Sequence, residues 1–104
     1  MNYTGIILAA GRGSRLKKKT DEFPKCLVKF KGKTLLERVI ENFNENKIKK
    51  IHVVTGYKRN KITLPNIKKI YNRKWNRSSI MTSLLCCNKI LKKKNCIISY
   101  SDIL

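Results

Sequence analysis

The sequence predicts an α/β fold built on a parallel sheet, and three observations predict it. Tyr3 to Ala9 is a short, continuous apolar run that closes on glycine, as a buried strand does. Thr34-Leu35-Leu36-Glu37 is a capping box that opens an amphipathic helix. Two further apolar runs, Ile51 to Gly56 and Cys96 to Tyr100, come after helical or polar segments, so strands alternate with helices and both faces of the sheet should be covered.

Taken in order, the first strand runs straight into Gly11-Arg12-Gly13-Ser14-Arg15. Two glycines two apart let the backbone turn with positive φ and come close to a ligand, and successive N–H groups in such a turn form a nest for phosphate oxygens. The spacing excludes a Walker A loop, and Leu16 stands where a dinucleotide fingerprint has its third glycine. From Gly11 to Phe23 there is no periodicity, which predicts an exposed loop. Pro24 then fixes the direction from which Lys25 enters, Leu27 to Phe30 suggests a short strand, and Lys31-Gly32-Lys33 a turn.

In the first helix Leu35, Leu36, Val39, Ile40 and Phe43 share one stripe, with Glu37, Arg38, Glu41 and Asn42 facing outward. Asn44 to Lys50 is a polar exit into the strand Ile51 to Gly56, in which His52 is expected to be structural. Gly5 to Gly56 thus forms a β-loop-α-β unit with parallel strands and a right-handed crossover. The segment Leu64 to Ile70 holds a short strand ending at Tyr71-Asn72. Ser78 or Ser79 can cap a second helix, with Ile80, Leu84, Cys87, Ile90 and Leu91 on one face, and Cys96 to Tyr100 is read as a third central strand.

Composition narrows the function classes. A chain of 104 residues fits one domain with a modest core. The formal net charge of +19 suits anionic ligands, but Lys, Asn and Ile fill the whole chain and the aromatics do not interleave with the cations. Compositional drift is therefore favoured over a small basic nucleic-acid-binding protein, which stands as the alternative. Cys26, Cys86, Cys87 and Cys96 contain no C-x-x-C pair, and with a single His they argue against a metal cluster or a disulfide framework. The apolar stretch near the N-terminus is too short for a signal or a membrane span, so a reduced, cytoplasmic protein with no membrane association is expected.

In an open parallel sheet, ligands bind outside the carboxyl ends of the strands. Gly11 to Arg15, Gly56-Tyr57 and Asp102 each follow a strand, so all three should face one crevice. A carboxylate opposite a phosphate-binding loop is suited to Mg²⁺, which is commonly held by one or two carboxylates together with substrate phosphates.

Leu8-Ala9-Ala10-Gly11-x-Gly13-x-Arg15-Leu16, followed by Pro24-Lys25-x-Leu27, resembles the signature of the nucleotidyltransferases that make activated sugars and alcohols. Tyr71-Asn72-x-x-Trp75, Ser83-Leu84 and Ile98 to Leu104 are similar to the branch holding the phosphocholine and phosphonate cytidylyltransferases. This resemblance implies a Rossmann-like three-layer sandwich with a mostly parallel sheet, of the nucleotide-diphospho-sugar transferase type, truncated here. Residues 1–104 would be the N-terminal nucleotide-binding part of an incomplete domain, weak or inactive alone. The implied reaction transfers a nucleoside monophosphate, CMP being favoured, from a nucleoside triphosphate to a phosphorylated small acceptor such as phosphocholine, a phosphonate or a sugar phosphate, releasing pyrophosphate.

By the same resemblance, Arg15 and Lys25 are catalytic, and Leu8, Ala9, Ala10, Gly11, Gly13, Ser14, Arg15, Lys25, Ser79 and Ser83 bind nucleotide. Asp102 holds Mg²⁺. Ser79 stands where the branch usually has Asn, and Ser101 where it usually has Gly. The last strand offers an exposed edge for self-association.

Overall fold

In the computed structural model, residues 3–10, 25–73, 87–93 and 95–100 are described. Four strands form a parallel sheet in the order β5-β4-β1-β6, with β1 at Thr4–Leu8, β4 at Lys50–Thr55, β5 at Lys68–Tyr71 and β6 at Cys96–Tyr100. A separate two-stranded hairpin pairs β2 (Lys29–Phe30) with β3 (Lys33–Thr34). Helix α1 spans Leu35–Glu45 and α2 spans Asn88–Lys93.

β1 is buried along its whole length, which is why its sequence is apolar without alternation. Its side chains nevertheless divide by parity between two cores. Ile7 and Ala9 join Leu36, Val39 and Phe43 of α1 with Ile51 and Val53 of β4 on one face. Ile6, Leu8 and Ala10 join Val54 and Cys87 on the other, with Ile90 of α2 packed against them. Two cores separated by one sheet make the three layers that the resemblance implies.

α1 begins as its sequence requires. Thr34 Oγ1 accepts from the Glu37 N–H at 3.0 Å, and Glu37 Oε1 accepts from the Thr34 N–H at 3.2 Å, closing the capping box. The hydrogen bonds that the Thr34 N–H and the Thr34 hydroxyl (3.0 Å) donate to the Glu37 carboxylate, with help from Lys29 and Lys33, hold it below its ordinary range. A depressed carboxylate pKa contributes stability that is present above the unfolded-state value and lost as pH falls through the folded one. Thermal melts should therefore show a loss of stability on acidification below the ordinary glutamate range that Glu37→Gln, which preserves the box without a charge, diminishes.

The polar exit of α1 contains a device that its composition hides. Lys47 takes a left-handed φ of 64°, its N–H donates to Asn44 O at 3.0 Å, and the Ile48 N–H donates to Phe43 O at 2.8 Å. This is a Schellman motif, and Ile48 and Phe43 both belong to the α1-side core. A lysine at a position that favours glycine costs stability. Lys47→Gly is expected to stabilise the chain by about 0.5–1 kcal/mol, read as a higher urea midpoint with an unchanged slope.

Close packing also explains Gly5. A Cβ there would lie 3.2 Å from two ring carbons of Phe43, so the glycine makes room for α1 to sit on β1. At the hairpin, Lys31 (φ 52°) and Gly32 (φ 85°) both take positive φ, as a two-residue turn matched to strand twist requires.

Three expectations are corrected. The strand expected over Leu27 to Phe30 shortens to Lys29–Phe30 because Lys25–Leu27 coils into a 3₁₀ turn that buries Cys26. Cys96–Tyr100 is not central among the described residues: its one partner is β1, and Ile97, Ile98 and Tyr100 are exposed. Leu91 is exposed too, so Cys87 and Ile90 make the described inward contact of the second helix without it. Ser78, Ser79, Ile80 and Leu84 lie outside the described residues.

Candidate functional site

The strand register brings the carboxyl ends of the sheet level. Leu8 is opposite Val54 of β4 on one side and Tyr100 of β6 on the other, and Thr55 is opposite Tyr71 of β5. The chain segments that leave these strands therefore share one edge of the sheet.

Backbone hydrogen bonds stitch those segments together past the end of regular pairing. The Ala9 N–H donates to Val54 O at 2.9 Å, the Tyr57 N–H to Ala10 O at 3.1 Å, and the Asn72 N–H to Thr55 O at 2.8 Å. Ala9, Ala10, Thr55, Tyr57 and Asn72 are all buried. Small side chains at Ala9 and Ala10 fit this crowding, since each must enter a different core while the backbone stays within reach of the β4 exit. The route into the glycine loop is thus fixed by the sheet itself.

Leu8, Ala9 and Ala10 are the predicted nucleotide-binding residues that lie at this edge. Lys25 opens the 3₁₀ turn, and its neighbour Cys26 is 1% exposed in the same core cluster as Ala9 and Leu36. Burial pushes the Cys26 thiol up to about 12, so this cysteine anchors the turn and is no nucleophile. Gly11, Gly13, Ser14, Arg15, Ser79, Ser83 and Asp102 lie outside the described residues. Asp102 follows Tyr100 by two positions in the sequence.

His52, expected to be structural, lies within the sheet. It is half-buried in β4 opposite Lys68, and burial, with Lys68, lowers its pKa. Among the described residues there is no group of three His, Cys, Asp or Glu side chains that could hold a metal ion, and no helix is long and apolar enough to cross a membrane.

The structure adds residues to which the sequence reading gave no role at the site. Thr55 Oγ1 donates to Ile70 O at 3.3 Å, and the Arg59 guanidinium stacks on the Tyr71 ring at 4.0 Å. Only strand register could have found them: Thr55 and Tyr71 become neighbours because β5 pairs with β4, and nothing in a single run of sequence states that pairing.

A parallel sheet with a helix packed on each face defines an α/β protein of the three-layer kind. Residues 5–104 match the MobA-like NTP transferase domain, and the chain belongs to that family. It is 34% identical over 108 residues to the CTP:phosphoglutamine cytidylyltransferase of Campylobacter jejuni, covering 94% of this chain and 43% of that protein. It is 46% identical over 52 residues to the choline-phosphate cytidylyltransferase of Streptococcus pneumoniae, covering 50% of this chain and 23% of the relative. Among solved structures, the CTP:phosphocholine cytidylyltransferase of Streptococcus pneumoniae superposes with a TM-score of 0.89 at 29% identity, over 98% of this chain and 46% of that one. The inositol-1-phosphate CTP transferase of T. maritima shares the fold, with a TM-score of 0.82 at 21% identity over 97% of this chain and 44% of that one. The chain thus spans less than half the length of these relatives.

Proposed function

We propose that this chain forms the nucleotide-gripping part of a cytidylyltransferase that moves CMP from CTP to the phosphate of a small phosphorylated acceptor. The observation that supports the reading best is the level set of strand ends, with Ala9-Ala10 tied to the β4 exit, in a chain of the NTP transferase family. Among the similar proteins are a CTP:phosphoglutamine cytidylyltransferase and a CTP:phosphocholine cytidylyltransferase, which supports that base and acceptor class.

In the proposed reaction an acceptor phosphate oxygen attacks the α-phosphorus of the triphosphate. A new P–O bond forms, the bond to the β-phosphate oxygen breaks, and pyrophosphate leaves with its electron pair. No covalent bond to the enzyme is required, so catalysis rests on positioning and charge neutralisation. The backbone from Leu8 to Gly13 would cradle the phosphates, Arg15 would neutralise the departing pyrophosphate, and Lys25 would face the charge developing at the α-phosphorus. Ser79 and Ser83 would lie near the base or acceptor.

Asp102 suits Mg²⁺ by its donor chemistry, a hard carboxylate two residues beyond a strand that ends level with β1. The ion would neutralise phosphate charge when bound. Calorimetric titration with CTP tests the reading: saturable binding that strengthens with Mg²⁺ and weakens in Asp102→Ala is expected. No saturable heat with CTP, ATP, GTP or UTP, with or without Mg²⁺, would sink it.

A further inference from the structure

A cationic recess lies at the carboxyl end of the sheet, beyond β4. It has a volume of about 260 Å³ and is lined by Thr55, Arg59, Asn60, Lys69 and Tyr71. Thr55 and Tyr71 come from the carboxyl ends of β4 and β5, and Arg59 and Asn60 from the 3₁₀ turn Arg59–Lys61 that follows β4. Lys69 precedes Tyr71 by two positions on β5, so both side chains leave the same face of the strand.

Lysine is common everywhere in this chain, and a surface cation alone would mean nothing. Two features distinguish this group. The Arg59 guanidinium is held 4.0 Å from the Tyr71 ring centroid, a stacking that fixes its plane and leaves its N–H edge available. Lys69 Nζ donates to Ile62 O at 2.8 Å, which pins the ammonium at the recess and leaves two of its three donors. Asn60 and Tyr71 can add an amide and a phenol, and among the described residues no carboxylate lines the recess.

We propose that this recess is a binding site for the phosphate group of a small molecule, built from residues to which the nucleotide reading gives no role. A preset guanidinium fork beside a preset ammonium is the arrangement that recognises a phosphate dianion with directed, charge-assisted hydrogen bonds. The volume falls below the usual range for drug-sized ligands, about 300–1,000 Å³, so the site suits inorganic phosphate or a small phosphate monoester. The site stands on its own residues and does not depend on the nucleotide reading.

The test is a titration of the full chain with inorganic phosphate and, separately, with glycerol phosphate, followed by ¹H–¹⁵N amide shifts at constant ionic strength with chloride as the reference anion. Saturable shifts centred on Thr55, Arg59, Asn60 and Tyr71 are expected. Arg59→Ala and Lys69→Ala should each raise the phosphate dissociation constant at least tenfold, while Lys50→Ala, which removes an exposed charge elsewhere on the sheet, should leave it within twofold. Saturation by inorganic phosphate alone assigns the free ion, and tighter binding of glycerol phosphate assigns the monoester. Both arms support the site. Shifts that match those from chloride, or that weaken equally in all three variants, would overturn it, as they would report bulk charge and no site. Failure of CTP binding with the phosphate shifts intact would reject the nucleotide reading and leave this site standing.

Discussion

Leu36→Ala is expected to destabilise the chain by about 3 kcal/mol and to lower its melting temperature by more than 10 °C. Leu36 is fully buried one residue into α1, in the cluster that joins Ile7 of β1, Ala9 just beyond it, Val53 of β4, Cys26 of the 3₁₀ turn and Ile62. Truncation removes its own apolar burial and leaves a void that surrounding strand backbone cannot close, because the ladder fixes β1 and β4 relative to each other. A loss of that size is a large part of the roughly 5–15 kcal/mol that holds a domain together. Leu91→Ala is the matched control: the same atoms are removed from α2 at a position that is 36% exposed, and the expected cost is below about 1 kcal/mol. Urea denaturation of the two variants separates them, and equal midpoints would show that the α1 face is not the main core.

Much of this architecture was legible in the sequence because its signals are local. The capping box of Thr34 and Glu37 formed as written, and Leu35, Leu36, Val39 and Phe43 turned inward at helical spacing. The apolar run beginning near Tyr3 became the buried β1, and the parallel pairing of β1 with β4 followed from a helix lying between them. What stayed hidden depends on contacts distant in sequence or on backbone hand. Lys47 reads as an ordinary polar residue, yet its left-handed φ closes α1 and delivers Ile48 to the core. Cys96 to Tyr100 is apolar enough for a central strand, and only the strand order reveals that β1 alone is paired with it among the described residues. The same holds at the candidate site. The exit of β1 through Ala9 and Ala10 was readable from the sequence, whereas the stacking of Arg59 on Tyr71 required the register of β5 against β4.

Lys25→Ala is expected to weaken binding of Mg²⁺-CTP at least tenfold, about 1.4 kcal/mol or more, while leaving the melting temperature within 2 °C or so of the parent. The two halves of this expectation come from neighbouring residues. The 3₁₀ turn Lys25–Leu27 is anchored by Cys26, which is buried with Ala9 and Leu36, so the fold of the turn does not rest on the lysine. Its loss should therefore reach ligand binding without first passing through stability. The net charge of +19 supplies a competing account, in which any lysine attracts CTP through the general field. Lys29→Ala distinguishes the two, since it removes the same charge from an exposed position in β2, four residues along the chain. A specific contact predicts a large effect at Lys25, a small one at Lys29, and partial recovery in Lys25→Arg. It also predicts that the difference between the two alanine variants persists at raised salt, where interactions between exposed charges farther apart than about 10 Å are screened. Equal weakening by Lys25→Ala and Lys29→Ala, vanishing together as salt rises, would assign the binding to bulk charge and remove Lys25 from the site.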